Sequence, residues 1–173
     1  MKKNNKGFSL VELLTVIAIL GVASSLVAGS FFRLSGSYAK RGVESTEVLM
    51  SRVKLDALSK HECYLELSYD EESEQYTVDL YRDVENDGNY TLYQSEKIGD
   101  KKLTVAAGNA SNTVDGDNPI VIAFNRRTAS LKTATIGDTD LKNGSTIVKL
   151  FFSSGNTTKT LSIYPATGFI EVS

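Results

Sequence analysis

The amino-terminal stretch that decides the fold is residues 2–32, which read KKNNKGFSLVELLTVIAILGVASSLVAGSFF. Glu12 is the only acidic residue in this stretch, and Leu13 to Phe32 is 20 residues without a charge. At a helical rise of ~1.5 Å per residue, the run is long enough for a bilayer core of about 30 Å. It also exceeds the ~7–15 apolar residues of a secretory signal peptide. We therefore predict a helix that spans a membrane.

The basic residues around this run favour a cytoplasmic amino terminus. Lys2, Lys3 and Lys6 precede it, and Arg33, Lys40 and Arg41, which follow it, reduce the bias. We predict that the chain after about residue 33 lies outside the cytoplasm. The net charge changes from −2 to −4 when the three leading lysines and Glu12 are removed, so the exported part is mildly acidic.

The composition of the whole chain limits its function. With 173 residues, 41% of them hydrophobic, it fits one globular domain plus one special segment. There is no basic excess to hold a nucleic-acid backbone, so nucleic acid is an unlikely partner. The single cysteine, Cys63, cannot form an intramolecular disulfide, and with the single histidine, His61, it excludes a zinc site of the usual Cys/His kind.

Two residues at the start of the apolar run are unusual for a simple anchor. Gly7 joins the basic leader to the run, and Glu12 places a carboxylate near the beginning of the run. An ionisable group in lipid is costly and indicates a functional partner by default. The alternative is that Glu12 extends to the lipid head groups.

The segment Lys6-Gly7-Phe8-Ser9-Leu10-Val11-Glu12, followed by an apolar helix, resembles the class III signal of type IV prepilins and type II secretion pseudopilins. The resemblance implies that a membrane peptidase cuts between Gly7 and Phe8 and methylates Phe8. It also implies that Glu12 pairs with the new amine of a neighbouring subunit during assembly.

The resemblance further implies a pilin-like α+β fold, with a long amino-terminal helix followed by an antiparallel sheet or sandwich. Residues 1–7 are then the leader peptide, 8–60 the helix with its transmembrane part at about 8–32, and 61–173 an exported β-rich domain. The strand ending at Phe124 and a final strand after Gly168 are similar to H-type pseudopilins. Gly29 stands near the position where many major pilins have a proline, which favours a minor subunit.

The function implied is that of a structural subunit of a type IV pilus, a secretion pseudopilus or a DNA-uptake pseudopilus. Its partners would be the prepilin peptidase, other pilin or pseudopilin subunits, the assembly machinery and, before assembly, membrane lipid. It would lie in the cytoplasmic membrane and then at the cell surface. One alternative is a filament-tip module that binds a ligand, a secreted protein or DNA. Another is an ordinary anchored envelope protein, in which Gly7 is never cut.

The hydropathy pattern after the apolar run predicts a helix over 33–60 and then strands. Most of the apolar residues of that helix form a stripe between Val48 and Leu58. The stripe packs either on the domain's own sheet or on partner subunits. For residues 48–58 we favour packing on the domain's own sheet. Gly36 and Gly42 are expected to be weak points in the helix. The predicted strands are 63–69, 75–81, 90–93, 103–106, 120–124, 130–136, 147–153, 160–164 and 168–172.

Several polar clusters allow chemistry, but each has a simpler structural interpretation. The loop from Asp83 to Gly88 spaces oxygen ligands as calcium loops do, but Gln94 replaces the closing glutamate, so a solvated hairpin is favoured. Arg126 and Arg127, with Lys132, are expected to form a solvated face. Cys63 is expected to be a half-buried structural thiol, and most of the tyrosines are expected to pack across strands. We predict no enzyme activity, no metal and no cofactor.

Overall fold

The computed structural model describes residues 10–59, 61–85, 87–108 and 112–173, without the side chains of residue 12 and residues 22–35. The chain divides into two units, Met1–Leu34 and Ser35–Ser173. The elements are one helix, α1 (Leu10–Leu58), and ten strands. The predicted leader, residues 1–7, lies outside the described residues.

In the first unit the described helical side chains are apolar except that of Thr15, whose hydroxyl donates to the Val11 carbonyl at 2.8 Å. The large residues between Leu10 and Leu20 are between 47% and 79% exposed. A helix that is apolar all round normally requires lipid or other protein to cover it. Within the part of the chain that is described, no helix has the length and apolarity needed to cross a membrane. The predicted span, Leu13 to Phe32, falls partly on residues whose side chains lie outside the described set.

In the second unit one face of α1 belongs to the hydrophobic core. Its buried residues recur at helical spacing and are Ala39, Val43, Thr46, Leu49, Met50, Val53 and Ala57. Gly42 lies on this buried side, where an added Cβ would be 3.0 Å from Leu103 and 3.3 Å from Phe152. The sequence predicts a weak point at Gly42, but the helix continues through this residue. The absence of a side chain at Gly42 leaves room for Leu103 and Phe152 to pack against the helix.

The strands form two antiparallel sheets. Their bounds are β1 (Glu62–Asp70), β2 (Gln75–Asp83), β3 (Thr91–Asp100), β4 (Thr104–Ala107), β5 (Ile120–Phe124), β6 (Leu131–Ile136), β7 (Thr139–Asp140), β8 (Val148–Ser154), β9 (Thr157–Tyr164) and β10 (Phe169–Val172). The larger sheet has the order β3-β2-β1-β5-β6-β7, and the smaller has the order β10-β9-β8-β4.

Alternation along the strands builds a shared core. Leu65 and Leu67 of β1, Ile122 of β5 and Leu150 of β8 are fully buried, while their sequence neighbours lie on the opposite face. Side chains from both sheets join the buried face of α1 in one hydrophobic cluster. The prediction of an α+β fold with a mostly antiparallel sheet is therefore confirmed.

The strand predictions differ from the structure mainly at their ends. β3 continues to Asp100, well beyond the predicted end at Tyr93, because Gln94 to Gly99 remain paired with β2 across two bulges. β9 begins at Thr157 instead of residue 160, since Thr157 pairs with Ser154 across a tight turn. The two-residue β7 has no hydrophobic pattern from which it could be predicted.

Candidate functional site

The residues predicted for processing and assembly fall at the start of the chain. Gly7 and Phe8 lie outside the described residues. Glu12 is in the first turn of α1, although its side chain is not described. The roles of Gly7, Phe8 and Glu12 therefore stay predictions.

A groove of about 490 Å³ opens at the end of the larger sheet where β1 begins and β5 ends. Its walls come from β1, the residue before β3, β5, β6 and the turn that joins β5 to β6. We call it the basic groove, and the side chains that determine its chemistry are Glu62, Tyr64, Tyr90, Arg126, Arg127 and Lys132.

Glu62 organises one side of the basic groove. Its Oε2 accepts a hydrogen bond from the Tyr90 hydroxyl at 2.9 Å and another from Lys132 Nζ at 3.2 Å. The bond from Tyr90, and then the bond and charge of Lys132, lower the pKa of Glu62. Burial and the hydrogen bond to Glu62 raise the pKa of Tyr90 to about 12. At neutral pH the pair is therefore a carboxylate and a protonated phenol.

Two tyrosine rings, those of Tyr64 and Tyr90, line part of the groove and belong to a wider set of tyrosine contacts. Tyr64 stacks on Tyr81 with ring centroids 4.8 Å apart, and Tyr90 meets Tyr64 edge-on at 5.0 Å. Tyr69 and Tyr76, at the other end of the same strand pair, lie 4.7 Å apart. The sequence prediction of cross-strand packing among the tyrosines is confirmed, because Tyr64 is paired with Tyr81 and Tyr69 with Tyr76 in the β1–β2 register.

Arg126 and Arg127 lie on the turn between β5 and β6, which we call the arginine turn (Asn125–Ser130). The Asn125 amide donates to the Ser130 carbonyl at 2.8 Å, and the Arg127 amide donates to the Asn125 side chain at 2.9 Å. These bonds fix the backbone that carries both arginines. Arg126, Arg127 and Lys132 are exposed, as the prediction of a solvated face requires, and the structure also places them beside Glu62 in one groove. That association depends on sheet order and has no signal in local sequence.

The electrostatic balance of the groove is positive. Three cationic side chains line it against one carboxylate, Glu62, which already pairs with Lys132. Two arginines on a fixed turn can recognise carboxylates through paired hydrogen bonds. The groove is therefore suited to an anionic partner.

The opposite end of β1 is acidic. The turn after β1 reads Asp70-Glu71-Glu72-Ser73-Glu74, and all five residues are exposed. The Asp70 carboxylate accepts bonds from the Glu72 amide at 3.0 Å and the Ser73 hydroxyl at 2.7 Å. These bonds, the one from Ser73 first, lower the pKa of Asp70, so this carboxylate stays ionised.

A second loop lies beside this turn. A Cβ on Gly116 would be 3.8 Å from the Glu71 side chain, which brings Asp115 and Asp117 next to the turn. Lys101, 2.6 Å from Glu74, is the cation paired with this group. We call the combined surface the acidic end, and its carboxylates are Asp70, Glu71, Glu72, Glu74, Asp115 and Asp117.

In the calcium-like loop, from Asp83 to Gly88, the carboxylates of Asp83 and Asp87 accept hydrogen bonds from nearby backbone amides. Asp83 is 3% exposed and accepts bonds from the amides of Asp87 (3.2 Å) and Gly88 (2.9 Å). Asp87 in turn accepts from Asn89. Among the described residues no group of three or more His, Cys, Asp or Glu side chains is placed to hold a metal ion.

Cys63 is a structural thiol, as the sequence predicts, but it is buried instead of half-buried. Its Sγ donates to the Val53 carbonyl at 3.2 Å, which ties β1 to α1. Burial, with a smaller contribution from Asp56, raises the pKa of Cys63 to about 11. The thiol is therefore protonated and unreactive at neutral pH.

The outer side of α1 carries both exposed apolar side chains and a hydrogen-bonded arginine. Val48 and Leu55, seven residues apart and both 67% exposed, lie opposite the buried face. Beside them Arg52 donates to Gln94 at 2.6 Å and to the Tyr93 hydroxyl at 3.0 Å. The predicted apolar stripe is thus divided, because Leu49, Val53 and Ala57 join the core while Val48, Leu55 and Leu58 remain exposed.

Comparison with known proteins gives one match. Residues 2–28 match the family model described as the prokaryotic N-terminal methylation motif, which covers less than a sixth of the chain. No curated protein and no solved structure matches the chain. The chain therefore carries a prepilin-type methylation motif, and its resemblance to the type IV pilin and pseudopilin family is confirmed over that segment.

Proposed function

We propose that the chain is a pilin-like structural subunit, of the minor pilin or pseudopilin kind, that is processed by a prepilin peptidase and assembled into a filament. The observation that carries the proposal is the motif match over residues 2–28. In this proposal residues 1–7 are removed at the Gly7–Phe8 bond and Phe8 is methylated. The chain begins as a single-pass protein of the cytoplasmic membrane and ends in a pilus or pseudopilus at the cell surface.

The exposed apolar side chains of α1 support assembly. Those from Leu10 to Leu20 require a cover, which lipid supplies before assembly and neighbouring helices supply afterwards. Glu12 is the single acidic residue in this part of the helix. Pairing with a neighbour's new ammonium group neutralises the carboxylate and sets the position of one helix against the next.

Filament incorporation of a Glu12→Ala variant tests the proposal. We expect normal leader removal but at least about tenfold less protein in the sheared filament fraction. The reason is that a buried ammonium left without its partner costs ~3–5 kcal/mol. Glu44→Ala is the matched control, since Glu44 is an exposed carboxylate on the same helix, 3.8 Å from Lys40. If the Glu12→Ala variant entered filaments as efficiently as the Glu44→Ala variant and the unaltered protein, the proposal would be contradicted.

A second candidate function is a filament-tip module that binds a ligand or a secreted protein. The basic groove favours it, because the groove combines tyrosine rings with cations in one concave surface. The two functions differ in stoichiometry. A tip module is present once per filament, whereas a repeating subunit contacts further copies of itself, and quantitative mass spectrometry of purified filaments distinguishes them.

A further inference from the structure

We propose that the basic groove of one copy binds the acidic end of a second copy of this chain, so that the exported domains contact each other head to tail. The inference rests on the proposed function and applies to a repeating subunit, because contacts between copies require that several copies of this chain assemble into one filament. It adds the surface on the β-domain through which neighbouring subunits recognise each other.

The first argument is position. β1 begins at Glu62 in the groove and ends at Asp70 at the acidic end. The eight steps from Glu62 to Asp70, at a rise of ~3.3 Å each, place the two surfaces roughly 26 Å apart. A domain therefore cannot insert its own acidic end into its own groove. Only a second molecule can bring these surfaces together.

The second argument is charge complementarity. The groove presents Arg126, Arg127 and Lys132 against Glu62 alone. The acidic end presents six carboxylates, with Lys101 bound to one of them. Opposite surface potentials of this kind steer association and fix the orientation of the partners.

The third argument is that both surfaces are already ordered. The arginine turn is held by its own hydrogen bonds and by the last hairpin, since the Leu131 amide donates to the Pro165 carbonyl at 2.9 Å. The acidic turn is held by Asp70, whose carboxylate binds Glu72 and Ser73. Contacts between ordered groups lose less conformational entropy on binding than contacts between mobile ones.

The fourth argument is symmetry. The two surfaces are different patches of one molecule, so the contact is heterologous. A heterologous contact that does not close into a ring repeats into a helical filament.

Disulfide crosslinking between two differently tagged full-length copies tests the inference in producing cells. One copy carries Arg127→Cys and the other Glu72→Cys. The native Cys63 is buried and does not compete. We expect a crosslinked heterodimer in the filament fraction. In the control pair Asn156→Cys replaces Glu72→Cys, because Asn156 is exposed in the β8–β9 turn, which contributes no residue to either surface. We expect at least about tenfold less product from that control.

Charge exchange provides a second measurement that does not depend on cysteine substitution. Arg127→Glu should lower filament incorporation by about tenfold or more, and Glu72→Lys added to the same chain should restore most of it. Restoration requires that the two positions meet between copies, since within one copy they are far apart. Failure of Glu72→Lys to restore incorporation would overturn the inference.

Intact-mass measurement of the same samples separates the possible failures. Processed chains in filaments that show no Arg127–Glu72 crosslink would overturn the head-to-tail contact and leave the proposed function intact. Chains that keep residues 1–7 in the presence of the peptidase would overturn the proposed function and this inference with it.

Discussion

A side chain added to Gly168 would overlap the carbonyl oxygen of Ala129. Both residues have left-handed backbones, with φ of +61° at Gly168 and +55° at Ala129. The contact joins the turn before β10 to the arginine turn, and Lys54 of α1 donates to the Gly168 carbonyl at 2.8 Å. Three distant parts of the chain therefore meet at one glycine, and the position of Arg126 and Arg127 depends on it.

The first prediction concerns this contact. Gly168→Ala should destabilise the protein by about 2 kcal/mol or more, because it adds a steric overlap to a backbone strain of ~1–2 kcal/mol. Gly144→Ala is the control, since Gly144 has a φ of +71° but no atom within 4 Å of the added Cβ. Urea unfolding of the full-length protein in detergent, followed by tyrosine fluorescence, measures both. Equal losses of unfolding free energy in the Gly168→Ala and Gly144→Ala variants would contradict the prediction, because they would show that the overlap with the Ala129 carbonyl has no energetic cost.

The second prediction concerns the ion pair between α1 and β2. Asp56 and Arg82 lie 2.5 Å apart and are about one-fifth exposed, and Arg82 stands 4.1 Å above the Tyr93 ring. A double-mutant cycle with Asp56→Asn and Arg82→Gln should give a coupling free energy of about 1 kcal/mol, above the usual value for exposed pairs. The exposed pair Lys101–Glu74 is the control, and its coupling should be smaller. Equal coupling at both sites would contradict the prediction.

The third prediction concerns the pH dependence that Cys63 produces. Its pKa is raised from 9.0 to about 11, so the folded thiol keeps its proton after the unfolded thiol has lost it. The contribution to stability is complete below pH 9 and is lost as the pH rises to about 11, by up to ~3 kcal/mol. Cys63→Ala should remove this dependence.

Alkylation provides the independent measurement for Cys63. At pH 8 the folded thiol should react about 100-fold more slowly than a thiol with a pKa of 9.0, because two pKa units reduce the thiolate fraction that much. Rapid alkylation of the folded protein would show that the thiol is neither buried nor protonated as described.

The fourth prediction concerns Glu62 in the basic groove. Its pKa is lowered by Tyr90 and Lys132, so its contribution to stability is present above the ordinary value of 4.5 and is lost as the pH falls through the lower folded value. Glu62→Gln should cost less than about 1 kcal/mol at neutral pH, because the carboxylate is partly solvated. The difference from the unaltered protein should vanish at acid pH. A difference in unfolding free energy that persists at acid pH would mean that Glu62 acts by packing instead of charge. Glu85→Gln is the control for the loss of one exposed carboxylate.

The strand pattern of the domain was predictable because burial follows local alternation. Leu65, Leu67 and Ile122 alternate with polar or half-buried residues, and each predicted strand coincides with an observed one apart from its ends. The continuation of β3 was not predictable, because Ser95 to Gly99 have no alternating hydrophobic pattern and are held by pairing with β2. Tertiary pairing, not propensity, determines that segment.

The basic groove was not predictable, because its parts are far apart in sequence. Glu62, Tyr90 and Lys132 come from different strands or loops, and only the order β3-β2-β1-β5-β6 brings them together. The exclusion of a side chain at Gly168 was equally invisible, since it depends on the carbonyl of Ala129. The predicted processing motif is the reverse case, because Gly7, Phe8 and Glu12 lie within six residues of sequence and their roles are predicted from it directly.

The measurement that tests the central claim most directly is the intact mass of the protein from membranes, with and without the prepilin peptidase. The account predicts that the peptidase removes residues 1–7 and that the mature chain begins at Phe8 with one added methyl group. Without the peptidase the chain should keep its full mass. An unprocessed chain in both samples would contradict the account and would leave an anchored β-domain with no role in a filament.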